Sequence, residues 1–97
     1  MTAYLNLWKQ HLGHVPEYVF GLTQLETLIL ADNDLAALAD AIGTLTRLRT
    51  LDLGHSALTA VPDSIGALVD LANFLYLHDN QLAALPASIA KLNNCAI

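Results

Sequence analysis

The stretch LETLILADNDL, Leu25 to Leu35, decides how this chain folds. Its leucines stand at 25, 28, 30 and 35, with Asn33 set among them. A helix repeats its apolar residues at intervals of three and four, and a strand at intervals of two. Here an interval of three is followed by one of two and then by a polar residue between leucines. Neither element alone accounts for that order.

The spacing recurs. Leu28, Leu30, Leu35, Leu38 and Ile42 reappear 23 positions later as Leu51, Leu53, Leu58, Val61 and Ile65. Backwards the same period meets Leu5, Leu7, Leu12, Val15 and Val19, and forwards it meets Leu75, Leu77, Leu82, Leu85 and Ile89 after one extra residue. Leu75 and Leu77 must stay two apart to share a face, so the extra residue belongs just before them, within Ala72 to Phe74. The chain therefore reads as a single domain of four turns, 1–21, 22–44, 45–67 and 68–91, with a partial fifth at 92–97. Within a turn Leu28 and Leu30 point one way from a short strand, while Thr27, Ile29 and Ala31 point the other. Stacked turns pile the inward leucines into one core, and no turn is stable alone.

The pattern L-x-x-L-x-L-x-x-N-x-L resembles the leucine-rich repeat family. The second half of each turn adds a subtype signature: VPEYVFGL, VPDSIGAL and LPASIAKL share a proline, and LADAIGTL repeats the frame without one. This is similar to the 23-residue repeats of Ras-suppressor and Scribble-type proteins and of many bacterial members. The resemblance implies an α/β right-handed solenoid, with a short parallel sheet on the concave side and short helical turns on the convex side. Strands are expected near 4–8, 27–31, 50–54 and 74–78. Pro16, Pro62 and Pro86 fix the chain as it enters each helical turn. The resemblance also implies a ladder of asparagines where the chain leaves the strand. Asn33 and Asn80 occupy that column, but Ser56 and Gln10 interrupt it, so the ladder is expected to be imperfect.

Composition narrows the function. The 97 residues are 55% hydrophobic and 13% charged, which excludes a disordered tail. A formal charge of −5, with only Lys9, Arg47, Arg49 and Lys91 as scattered bases, argues against nucleic acid and anionic membranes as partners. A single cysteine, Cys95, excludes an internal disulfide framework. It takes the column of Leu25, Leu48 and Leu71, as a small apolar side chain. With no basic segment leading into an apolar run at the N-terminus, a cytoplasmic location is favoured.

The outward columns of the sheet are the expected site. They carry Tyr4, Thr27, Thr50 and Phe74; then Asn6, Ile29, Asp52 and Tyr76; then Trp8, Ala31, Gly54 and His78; beside them stand Lys9, Asp32, His55 and Asp79. Aromatics on such a face are enriched at binding surfaces, and acids beside them set polarity. The expected contact residues are Tyr4, Asn6, Trp8, Ile29, Asp32, Asp52, His55, Phe74, Tyr76 and His78, and the partner is a protein or peptide. His11 and His14 make an H-x-x-H spacing that no nearby carboxylate or cysteine completes. His55 and His78 fall in adjacent turns near Asp32, Asp52 and Asp79, a better setting for a carboxylate-oriented imidazole. With no nucleophile or deep pocket indicated, no catalytic, cofactor or metal role is assigned. The alternative function is structural. Without visible caps, a solenoid end offers a sheet edge for pairing, and a homodimer through the N-terminal turn is the expected form.

Overall fold

The computed structural model describes residues 3–71 and 73–92. Four strands, β1 (Tyr4–Asn6), β2 (Thr27–Ile29), β3 (Thr50–Asp52) and β4 (Phe74–Tyr76), form one parallel sheet in sequence order. Each is followed by a single-stretch 3-10 helix: η1 (Glu17–Gly21), η2 (Asp40–Thr44), η3 (Asp63–Ala67) and η4 (Ala87–Lys91). Parallel neighbours need such a crossover, because a tight turn would reverse the chain.

The leucine columns meet in register. Leu5 faces Leu28, Leu28 faces Leu51, and Leu51 faces Leu75. The second turn and the third hide theirs completely: Leu28, Leu30, Leu35, Leu51, Leu53 and Leu58 have no exposed surface. Burying a leucine to that degree contributes about 1.5–3 kcal/mol. In the outer turns Leu5, Leu7, Leu12, Leu77 and Leu82 are half-buried, and Leu85 is 44% exposed. A turn with a neighbour on one side only covers one flank of its leucines.

The extra residue of the fourth turn falls where the sequence puts it. The Leu71 amide donates to the Leu68 carbonyl as Leu48 does to Leu45, which keeps the offset of 23. Asn73 and Phe74 donate to the Arg49 carbonyl as Arg49 and Thr50 do to Glu26, an offset of 24. The change lies between Leu71 and Asn73, and the sheet absorbs it without losing register. Residue 72 itself, Cys95 and the partial fifth turn beyond Leu92 lie outside the described residues.

The strands are three residues long, shorter than the expected five. Two features end them. The Asn6 Oδ1 accepts the Trp8 amide at 2.9 Å and the Asp52 Oδ1 accepts the Gly54 amide at 3.0 Å, turning those donors away from the next strand. Then Lys9, Asp32, His55 and Asp79, one column in four turns, all take a left-handed backbone with φ of 55°, 61°, 51° and 56°. That conformation is unfavourable for residues with a β-carbon, and here it bends the chain out of the sheet in every turn.

The ladder fills the bend. Asn33, fully buried, accepts the amides of Gln10 at 2.8 Å and Leu12 at 3.3 Å. Its amide donates to the carbonyls of Leu7 at 2.8 Å, Leu30 at 3.1 Å and Ala31 at 3.2 Å. Asn80 repeats the arrangement, accepting from Leu58 and donating to Leu53, Leu77 and His78. Ser56 is too short for both halves. Its hydroxyl accepts the Leu35 amide at 3.2 Å and makes no other hydrogen bond among the described residues.

On the convex side η2, η3 and η4 pack closely, while η1 stands off from η2. The reason is one column. Gly43 and Gly66 leave room for the next turn, since a β-carbon there would lie 2.8 Å from the Ser64 Cβ and 2.6 Å from the Ser88 Cβ. The first turn carries Phe20 in that column. Its ring lines an apolar cleft of about 260 Å³ between the first turn and the second, together with His14, Val15, Ala37, Leu38 and Ala39.

Candidate binding face

The sheet presents its outward side chains in two groups. Along β1 stand Tyr4 and Trp8, 58% and 54% exposed, with the exposed Asn6 between them. The Asn6 amide reaches the Tyr4 hydroxyl at 3.5 Å, and the Lys9 ammonium lies 5.7 Å from the Trp8 ring centre. Along β4 the Phe74 and Tyr76 rings stack at 5.2 Å with only 10° between their planes. His78 meets Tyr76 edge-on at 5.9 Å and His55 edge-on at 4.7 Å. A run of four rings thus follows β4 and crosses to the third turn, where the His55 Nδ1 and the Asp79 Oδ2 lie 2.8 Å apart.

Between these rails the floor is lower. Thr27, Ile29, Thr50 and Asp52 are half-buried, and Ala31 and Gly54 are buried although their column faces outward. At Gly54 the cover is visible: a β-carbon there would sit 2.7 Å from the His78 Cε1, so the imidazole lies over the glycine backbone. With strands about 4.8 Å apart, three spacings place the rails about 14 Å from each other. The aromatic residues therefore form two edges of a shallow trough and not one patch.

All ten expected contact residues are exposed or half-buried on this side. The structure brings Phe74, Tyr76, His78 and His55 together and leaves Tyr4, Asn6 and Trp8 on the far rail. Asp32 is half-buried at the bend, and Asp52 spends one oxygen on the Gly54 amide. Asp79 was visible in its column but not singled out; its contact with His55 needs the left-handed bends of both turns, which carry no residue signature. Elsewhere, Glu26 and Arg49 share a flank with Arg47 and Asp70 but form no ion pair within 4.0 Å. On the convex side Ser64 is half-buried against Gly43. No helix among the described residues is long and apolar enough to cross a membrane.

The family model described as "Leucine rich repeat" matches residues 2–58 and again 23–82, two overlapping windows that cover most of the chain. The chain belongs to the leucine-rich repeat family. Its fold is similar to that of a leucine-rich repeat protein of Leptospira interrogans, with a TM-score of 0.72 and 29% sequence identity over 94% of this chain. This repeat array spans 29% of the length of that protein. Comparison with curated protein sequences gives no match. The leucine-rich repeat framework explains the columns: residues fixed by the framework are leucines, asparagines and prolines, and what varies on the sheet is Tyr4, Trp8, Ile29, Asp52, Phe74 and Tyr76.

Proposed function

We propose that this repeat module binds a protein segment along the trough, without catalysis. The observation that carries the reading is the pair of aromatic rails flanking the half-buried Ile29 and Asp52. Rails about 14 Å apart leave room for one extended segment or one helix, whose diameter with side chains is about 10–12 Å. Aromatic rings would take its apolar side chains, and Asp32, Asp52 and Asp79 would favour a basic one.

The test is capture of binding partners from a peptide library, followed by affinity measurement on variants. Tyr76→Ala and Trp8→Ala should each weaken binding by well over about 1 kcal/mol while the melting temperature holds. Asp63→Lys, on the exposed convex side, should leave affinity unchanged. A partner whose affinity follows Asp63 and ignores Tyr76 and Trp8 would refute the assignment. A second reading, association of two chains end to end, draws on the 44% exposure of Leu85 and the half-buried Leu5 and Leu7. Sedimentation across a concentration series decides it: a monomer throughout removes that reading.

A further inference from the structure

The ring run on β4 ends in a group of three metal-ligating side chains contributed by two turns. His55, His78 and Asp79 each offer one ligand atom, and these atoms all lie within 4.8 Å of one another. We infer that they form a binding site for a divalent transition-metal ion of the zinc class, joining the third turn to the fourth.

Two imidazoles and one carboxylate are the donor set of open zinc sites, in which the remaining position is left to water or an external ligand. Tetrahedral zinc with donors at 2.0–2.2 Å sets neighbouring donors about 3.3 Å apart. His55 and Asp79 start closer than that, with the Nδ1 and Oδ2 2.8 Å apart, so the ion would replace the proton between them and spread them slightly. His78 must move in by about 1.5 Å at most to reach the same spacing. All three side chains are exposed, so each has the freedom to adjust.

The backbone already serves this geometry. Left-handed conformations at His55 (φ 51°) and Asp79 (φ 56°) carry the two side chains out at the same bend of successive turns. The glycine at 54 seats the His78 ring beside them, where any β-carbon would collide with it at 2.7 Å. Asp32 and Asp52, the carboxylates of the neighbouring turns and columns, fall outside the group. In the sequence these three residues are scattered polar positions of a repeat face with no deep pocket indicated, and their grouping appears only in the fold. Nitrogen donors select zinc, nickel or copper over magnesium and calcium, which favour oxygen.

Calorimetric titration of the full chain with zinc chloride in a non-coordinating buffer at pH 7.5 tests the site. The expected result is one ion per chain, a rise in melting temperature and no competition from excess magnesium. His55→Ala and His78→Ala should each weaken binding at least about tenfold. Gly54→Ala should also weaken it by displacing the ring without removing a donor. The double variant His11→Ala/His14→Ala should bind as the parent does. Circular dichroism of each variant establishes that it is folded. Absence of a one-to-one binding heat, or unchanged affinity in folded His55→Ala or His78→Ala, overturns the site.

Discussion

Asn33 ties its own turn to the one before it, its amide donating to the Leu7 carbonyl at 2.8 Å across 26 residues of sequence. Four backbone groups, the amides of Gln10 and Leu12 and the carbonyls of Leu7 and Leu30, have no other partner among the described residues. Asn33→Ala should therefore destabilise the chain by about 1–3 kcal/mol, read from denaturant unfolding. Ser56→Asn is the reciprocal change. It should be neutral or stabilising, because the longer amide carries two N–H donors as well as its acceptor and reaches further than the Ser56 hydroxyl; a marked fall in the unfolding midpoint would show that the third bend cannot hold it.

The helical turns enter at matched backbone angles. Pro16, Pro62 and Pro86 have φ of −60°, −68° and −66°, and Ala39 has −68° with no ring to impose it. Among the described residues the Ala39 amide makes no backbone hydrogen bond. Ala39→Pro should stabilise the protein by about 0.4–1 kcal/mol, by removing freedom from the unfolded chain alone. A drop in melting temperature would mean that the residue before it, Leu38, departs from the conformation that Val15, Val61 and Leu85 adopt before their prolines.

Two glycines with the same chemistry should respond in opposite directions. A β-carbon at Gly66 would meet the Ser88 Cβ at 2.6 Å and the Ser88 carbonyl at 2.8 Å, whereas one at Gly21 meets nothing within 4 Å. Gly66→Ala is expected to cost about 1–3 kcal/mol through forced separation of η3 and η4. Gly21→Ala should instead gain about 0.4–1 kcal/mol. Thermal melts of the two variants beside the parent check both signs.

Removing a leucine from the middle of the stack should be worse than removing one from its margin. Leu51 is fully buried with strands on both sides, and Leu51→Ala should cost about 2–5 kcal/mol. Leu85→Ala, at a residue 44% exposed, should cost much less. Equal losses would mean that Leu85 is covered in solution, and the unfolding curves distinguish the outcomes.

The columns that build the fold were legible because each repeats a chemical demand. Leu28 and Leu51 must fill the same core, and Asn33 and Asn80 must satisfy the same bend, so four copies of the demand leave four copies of the residue type. Even the shifted register at Leu75 could be read, since a pair two apart tolerates no insertion between its members. The face was legible only as a set of positions. That Phe74 and Tyr76 stack, that His78 covers Gly54, and that Asp79 rather than Asp52 meets His55 depend on rotamers and on left-handed bends. Neither leaves a period in the sequence. Phe20 did leave a signal, a large ring in the column of Gly43 and Gly66, but its effect becomes apparent only when the spacing of the helical turns is seen.

That ring gives the molecule unequal joints. The last three turns are locked from behind by glycine contacts and by the Ser88 hydroxyl on the Asp63 carbonyl at 2.7 Å. Behind the first turn Phe20 substitutes a cleft for that lock, crossed by the Thr44 hydroxyl on the Phe20 carbonyl at 3.2 Å. The first turn is thus joined to the second mainly from the front, through the sheet and Asn33, where the later turns are joined on both faces. The rail bearing Tyr4 and Trp8 therefore stands on a turn held from one side, and the rail of Phe74 and Tyr76 on a turn braced from both, so the two edges of the trough are unequally supported.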